Sequence, residues 1–153
     1  MAGLMTLLDD SHVLCRSTAQ SQKNIFELVA RGIAATHEEL DEQLLFKKFL
    51  AREKLGSTGL GEGVAVPHSR IEGLEYPIGY LLTLAEPAPY DAPDNQGVDI
   101  LFALLVPEES TQLHLDLLSE IATLLSDNAY CERLRKASDR AELLALATHS
   151  RVA

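Results

Sequence analysis

Tryptophan is absent from this 153-residue chain, and it holds only four phenylalanines and four tyrosines. A core built from such a composition rests on Leu, Ile, Val and Ala. Cysteine occurs only at Cys15 and Cys131, with no Cys-x-x-Cys pair. That excludes a disulfide framework and a zinc knuckle and points to reduced, intracellular thiols. Basic residues are scarce, 13 Lys and Arg against 23 Asp and Glu, for a net charge of -10. A nucleic acid or an anionic membrane surface would be repelled, which leaves protein or small-molecule partners. The longest apolar run, Ile100 to Val106, is far too short to cross a bilayer. The segment from Met1 to Asp10 lacks the basic flank and apolar length of a signal peptide, so a cytoplasmic protein without membrane insertion is expected.

What is present fits one domain spanning residues 1–153 with one core, of a size that needs neither disulfide nor metal. Leu4, Leu7 and Leu8 suggest a short helix, and Val13 to Cys15 a strand. Ile25, Leu28, Val29 and Ile33 recur at helical spacing, opposite Lys23, Glu27 and Arg31. A second helix is predicted from Glu38 to Leu55, burying Leu40, Leu44, Leu45, Phe49 and Leu50, with Arg52 and Lys54 in its last turn and Gly56 as its stop. Beyond residue 68 the polar segment Ser69 to Tyr76 reads as a turn leading into a hairpin-like return, and Ile78 to Leu84 as a strand. The proline-containing stretch Glu86 to Gly97 reads as a loop, and Val98 to Val106 as a central strand ended by Pro107. A helix capped by Ser110 or Thr111 follows, with Leu113, Leu117, Ile121, Leu124 and Leu125 on its apolar face and His114 in its first turn. Shorter helices are predicted over residues 128–136 and 138–148. Strands interleaved with helices predict a mixed central sheet flanked by helices on both faces, a three-layer α/β/α sandwich.

The densest signal is Gly56-Ser57-Thr58-Gly59-Leu60-Gly61-Glu62-Gly63-Val64-Ala65-Val66-Pro67-His68. Its glycines suit a sharp turn or a polyanion cradle, or else a helix cap and a loop without chemistry. It lacks the Gly-Lys-Ser/Thr ending of a P-loop, and its glycines follow a helix and precede a strand, the reverse of a dinucleotide fingerprint. Val64 to Val66 reads as a buried strand and Pro67 as its stop, which presents His68 at a strand end. If that strand and Val98 to Val106 run the same way, His68 and His114 emerge together, where sites in open α/β sheets lie.

Of the five histidines, His12, His37 and His149 read as solvated surface residues. His114 is either a hydrogen-bonded, half-buried histidine or a donor to an anion at the start of its helix. His68 admits two fates. It ligates a metal with His114 and Asp94 or Asp99, without the support of any close histidine pair, or it accepts a phosphoryl group as a neutral imidazole nucleophile. For the second fate Ser57 and Thr58 hydroxyls, glycine N–H groups, a helix N-terminus and Arg52 supply positioning and charge. Arg52 grips phosphate oxygens in one reading and satisfies a helix C-terminus in the other.

The run from Ala51 to His68, with Asp99 to Pro107 and then His114 at matching spacing, resembles the fructose/mannitol-type enzyme IIA domain of the bacterial phosphotransferase system, most of all its nitrogen-regulatory branch. Ser69 stands where that family often has glycine or alanine, and is still small. The resemblance implies that His68 is phosphorylated on Nε2, that His114 supports it and that Arg52 binds the phosphate. It implies an HPr-like phosphocarrier (NPr) docking on an apolar patch, then regulated target proteins or a IIB domain as recipients, and no cofactor. A chain ending at Ala153 without a IIB or membrane domain suits a free-standing regulator better than a sugar-specific subunit. The same fold is also similar to cytoplasmic domains of anion transporters, which act as binding modules without phosphorylation.

Overall fold

A computed structural model describes residues 7–90, 94–109 and 111–149. The expectations for Leu4, for a cap at Ser110 or Thr111, and for the side chains of Leu113 and His149 lie outside the described residues. Leu7 and Leu8 are not helical; the first helical turn is Asp10–His12, capped by the Asp9 carboxylate, which accepts from the Ser11 N–H.

The elements follow as β1 (Val13–Ser17), α1 (Gln22–Ala34), α2 (Glu42–Lys54), β2 (Gly59–Gly61), β3 (Val64–Ala65), β4 (His68–Ile71), β5 (Ile78–Ala88), β6 (Val98–Pro107), α3 (Thr111–Leu125), α4 (Asn128–Lys136) and α5 (Arg140–His149). Helix α1 starts at the Ser21 cap, and Ile25, Val29 and Ile33 are buried as their spacing requires. Helix α2 begins later than Glu38, because the Asp41 carboxylate accepts the Leu44 N–H and fixes the start there. Leu45 and Phe49 then face inward, and Leu44 is left 44% exposed.

The sheet order is β1-β5-β6-β3-β2, with β4 also paired to β6. Strand β6 is central. It runs antiparallel to β5 and parallel to both β3 and β4, while β1 and β5 are parallel to each other. Two expectations are corrected here. The segment after residue 68 is not all turn, since His68–Ile71 pairs with Leu104 to Pro107, and β5 does not return beside it because β6 lies between them. Nor is β5 over at Leu84; it runs to Ala88, beyond an irregularity in its pairing.

The sheet divides the apolar interior in two, where one core was expected. Along β6 the alternation of a pleated strand sends Leu101, Ala103 and Leu105 toward α1 and α2, and Ile100, Phe102, Leu104 and Val106 toward α3, α4 and α5. On the first side lie Ile25, Phe26, Leu45 and Phe49, and on the second Leu117, Ile121, Tyr130 and Leu143. Helices cover both faces, so the fold is the three-layer sandwich with a mixed sheet. None of the described helices is long and apolar enough to cross a membrane.

His12 and His37 are not solvated surface histidines. His12 is buried, its Nε2 is 3.0 Å from Thr36 Oγ1, and His37 Nε2 stands 3.3 Å from the same nitrogen.

Candidate active site

The last turn of α2, the start of β4 and the first turn of α3 contribute Arg52, His68 and His114 to one cleft of about 710 Å³. The glycine-rich segment leads the chain there and is not itself a cradle. Gly61 and Gly63, at φ +92° and +85°, turn β2 back onto β3. The φ of Gly63 is one that residues with a Cβ rarely adopt, and a Cβ there would also press on the Arg135 and Asp99 side chains at 2.7 and 2.9 Å.

Pro67 then breaks the ladder between β3 and β4. It has no N–H to donate, but its carbonyl accepts from the Leu104 N–H at 2.9 Å, which holds the chain against β6. The Val66 carbonyl meets His68 Nδ1 at 2.8 Å. A carbonyl only accepts, so Nδ1 carries the proton and Nε2 the lone pair. Arg52 Nε donates to that Nε2 at 3.2 Å, while its Nη1 donates to the Gly56 carbonyl at 2.9 Å. Arg52 thus finishes the helix and also faces the bare nitrogen of His68.

His114 is buried, and its ring stands edge-on to that of His68 with centroids 5.2 Å apart. His68 Nδ1 and Nε2 are both engaged, whereas His114 Nε2 is buried with no hydrogen-bond partner among the described residues. Burial holds the His68 imidazole below the ordinary histidine value; the bond to Val66 opposes this and the Arg52 charge adds to it. His114 is held low by burial first, then by His68, Arg70 and Arg52. Both shifts favour the neutral ring, the state a nucleophile needs. Lys48 and Arg70 add positive charge to the cleft, opposite in sign to the chain as a whole.

The remaining expected site residues sit differently. Ser57 is exposed, and its Oγ accepts the Gly59 N–H at 3.0 Å. Thr58 is buried, its hydroxyl donates to Glu53 Oε1 at 2.6 Å and lies 2.8 Å from the Tyr90 hydroxyl. Neither lines the cleft. The carboxylates considered for a metal are elsewhere too. Asp99 grips Arg135 Nε with both oxygens at 3.0 Å, and Asp94 accepts the Glu62 and Gln96 N–H groups. Asp99 is five residues before Leu104, the partner of His68, or roughly 16 Å along β6 at ~3.3 Å per residue. Among the described residues no group of three His, Cys, Asp or Glu is placed to hold a metal ion.

Arg70 was not singled out from the sequence. Its Nε donates to His114 Nδ1 at 3.3 Å. The signal was its place two residues after His68, the same face of a strand, which is invisible while residues 69–76 are read as a turn.

Residues 6–149 match the family described as phosphoenolpyruvate-dependent sugar phosphotransferase system, EIIA 2. The chain belongs to this EIIA 2 family. The EIIA 2 chain is 42% identical over 137 residues to a nitrogen regulatory protein of Pseudomonas aeruginosa, covering 90% of this chain and 89% of that one. To the nitrogen regulatory protein of Escherichia coli K12 it is 40% identical over 146 residues, covering 95% and 89%. The crystal structure of the nitrogen regulatory protein IIA-Ntr from Neisseria meningitidis superposes with a TM-score of 0.87 at 37% identity, covering 95% of this chain and 99% of that one. The EIIA 2 chain is therefore a phosphotransferase-system component of the nitrogen-regulatory kind.

Proposed function

We propose that His68 accepts a phosphoryl group from an HPr-like phosphocarrier, and that the phosphorylated and free forms differ in their hold on regulated target proteins. The observation that carries this reading is the tautomer of His68: Nδ1–H is tied to the Val66 carbonyl, and the bare Nε2 faces the cleft beside Arg52. In the transfer the P–N bond of the carrier's phosphohistidine breaks and its electron pair returns to that imidazole. A new P–N bond forms from the Nε2 lone pair of His68, which keeps its Nδ1 proton. Arg52 moves from the nitrogen to the incoming oxygens, and its fixed charge stabilises the transferring group. Leu55, 85% exposed, and Leu115, 55% exposed and next to His114, offer the apolar contact that a carrier requires.

The test is incubation with phosphoenolpyruvate, enzyme I and an HPr-type carrier, followed by intact mass. One acid-labile phosphoryl group on the wild type, absent from His68→Ala, is expected. No gain with a carrier proven on another acceptor overturns the reading in favour of a phosphorylation-independent binding module.

A further inference from the structure

The two histidines of the cleft are held in opposite tautomers, His68 by the Val66 carbonyl and Arg52, His114 by Arg70. A guanidinium only donates, so the His114 nitrogen facing Arg70 Nε at 3.3 Å, Nδ1, must carry a lone pair. A neutral imidazole has one ring proton, and it is therefore on Nε2, which is buried and has no acceptor among the described residues. Buried donors rarely stay unpaired, and each exception calls for a reason, a catalytic role among them. The His68 ring stands 5.2 Å away centre to centre and lines the same cleft, so a group added to its Nε2 lies beside His114.

We propose that Arg70 is a positioning residue that fixes the proton of His114 on Nε2, so that this N–H is ready to donate to an oxygen of the phosphoryl group on His68. The inference rests on His68 being the phosphoryl acceptor. If the His114 proton moved to Nδ1, a bare Nε2 would confront the phosphoryl oxygens lone pair to lone pair, and the donor would be lost. Arg70 has no ion-pair partner among the described residues, although Glu108 lines the same cleft, so its charge is free to act on the ring. It also contributes to holding His114 neutral.

The experiment uses the full chain, labelled with 15N, as wild type, Arg70→Ala and Arg70→Lys. Two-bond 15N–1H correlation spectra of the unphosphorylated proteins report each histidine tautomer, and the rate of phosphorylation by an HPr-type carrier is measured beside them. The wild type is expected to show Nε2–H at His114 and Nδ1–H at His68. Arg70→Ala moves His114 toward Nδ1–H, leaves His68 unchanged and slows transfer by about tenfold to a hundredfold; lysine, also a pure donor, restores both. An unchanged His114 tautomer in Arg70→Ala, or a shifted tautomer with a normal rate, overturns the proposal. A purely structural role would instead lower the melting temperature and leave the tautomer in place. Absence of phosphorylation in the wild type would refute the acceptor reading, while the tautomer pattern is read without phosphate and judges the Arg70–His114 coupling separately.

Discussion

Replacing Arg52 by alanine perturbs the transfer in two opposing ways, and their sizes predict the outcome. In the free protein Arg52 Nε occupies the lone pair of His68 Nε2 at 3.2 Å, the long end of the hydrogen-bond range. That contact must yield before phosphorus can bond, so its loss lowers the barrier by at most the ~1.5–3 kcal/mol of a charged hydrogen bond. The variant also loses the guanidinium that meets the developing charge, a contribution of about 2.7–4 kcal/mol for a comparable preorganised donor. Because the ground-state bond is long, its loss counts at the ~1.5 kcal/mol end, the second effect wins by ~1.2–2.5 kcal/mol, and a net loss of about tenfold to seventyfold in the rate is expected. At the same time the His68 pKa rises, since Arg52 is one of the groups that hold it down. Rapid-quench phosphorylation by an HPr-type carrier, with an NMR titration of His68, measures both. A transfer rate equal to or above that of the wild type would refute the clamp, and a fall in the His68 pKa would refute the electrostatic account.

Stability offers two further tests. Leu82 is fully buried on the side of α1 and α2, so Leu82→Ala is expected to lose about 2–5 kcal/mol by urea unfolding with its tautomers intact; a loss near zero would contradict the packing. His37, His68 and His114 all have folded-state pKa values depressed below 6.5, chiefly by burial. As pH falls below that value the unfolded chain takes up protons before the folded one does. Their stabilisation is complete above it and is lost as pH falls toward the folded values, so the urea midpoint should drop as the pH is taken below 6.5. A midpoint that stays flat or rises as the pH is lowered would refute the burial of these rings.

Much of the fold is legible in the residue pattern. The period of Ile25, Val29 and Ile33 and the apolar run through β6 declare a buried helix face and a central strand, because burial on one stripe or on both faces leaves a local imprint. The run ending at Pro67-His68 likewise marks its own histidine. The extent of β4 is not legible, since Ser69 and Arg70 are polar and acquire strand character only from pairing with Leu105 and Val106. Polar spacing also misplaced His12 and His37, whose burial depends on α1 and β5 closing over them.

The glycines, the prolines and the amphipathic stripes thus determine by themselves where the main helices and the long strands lie, because those preferences act within a few residues. Only the tertiary structure decides the chemistry. Arg52, His68, Arg70 and His114 come from three elements and converge through the parallel pairing of β4 with β6. Which nitrogen of each ring is bare follows from a carbonyl and two guanidiniums that the folded chain alone brings within hydrogen-bond distance.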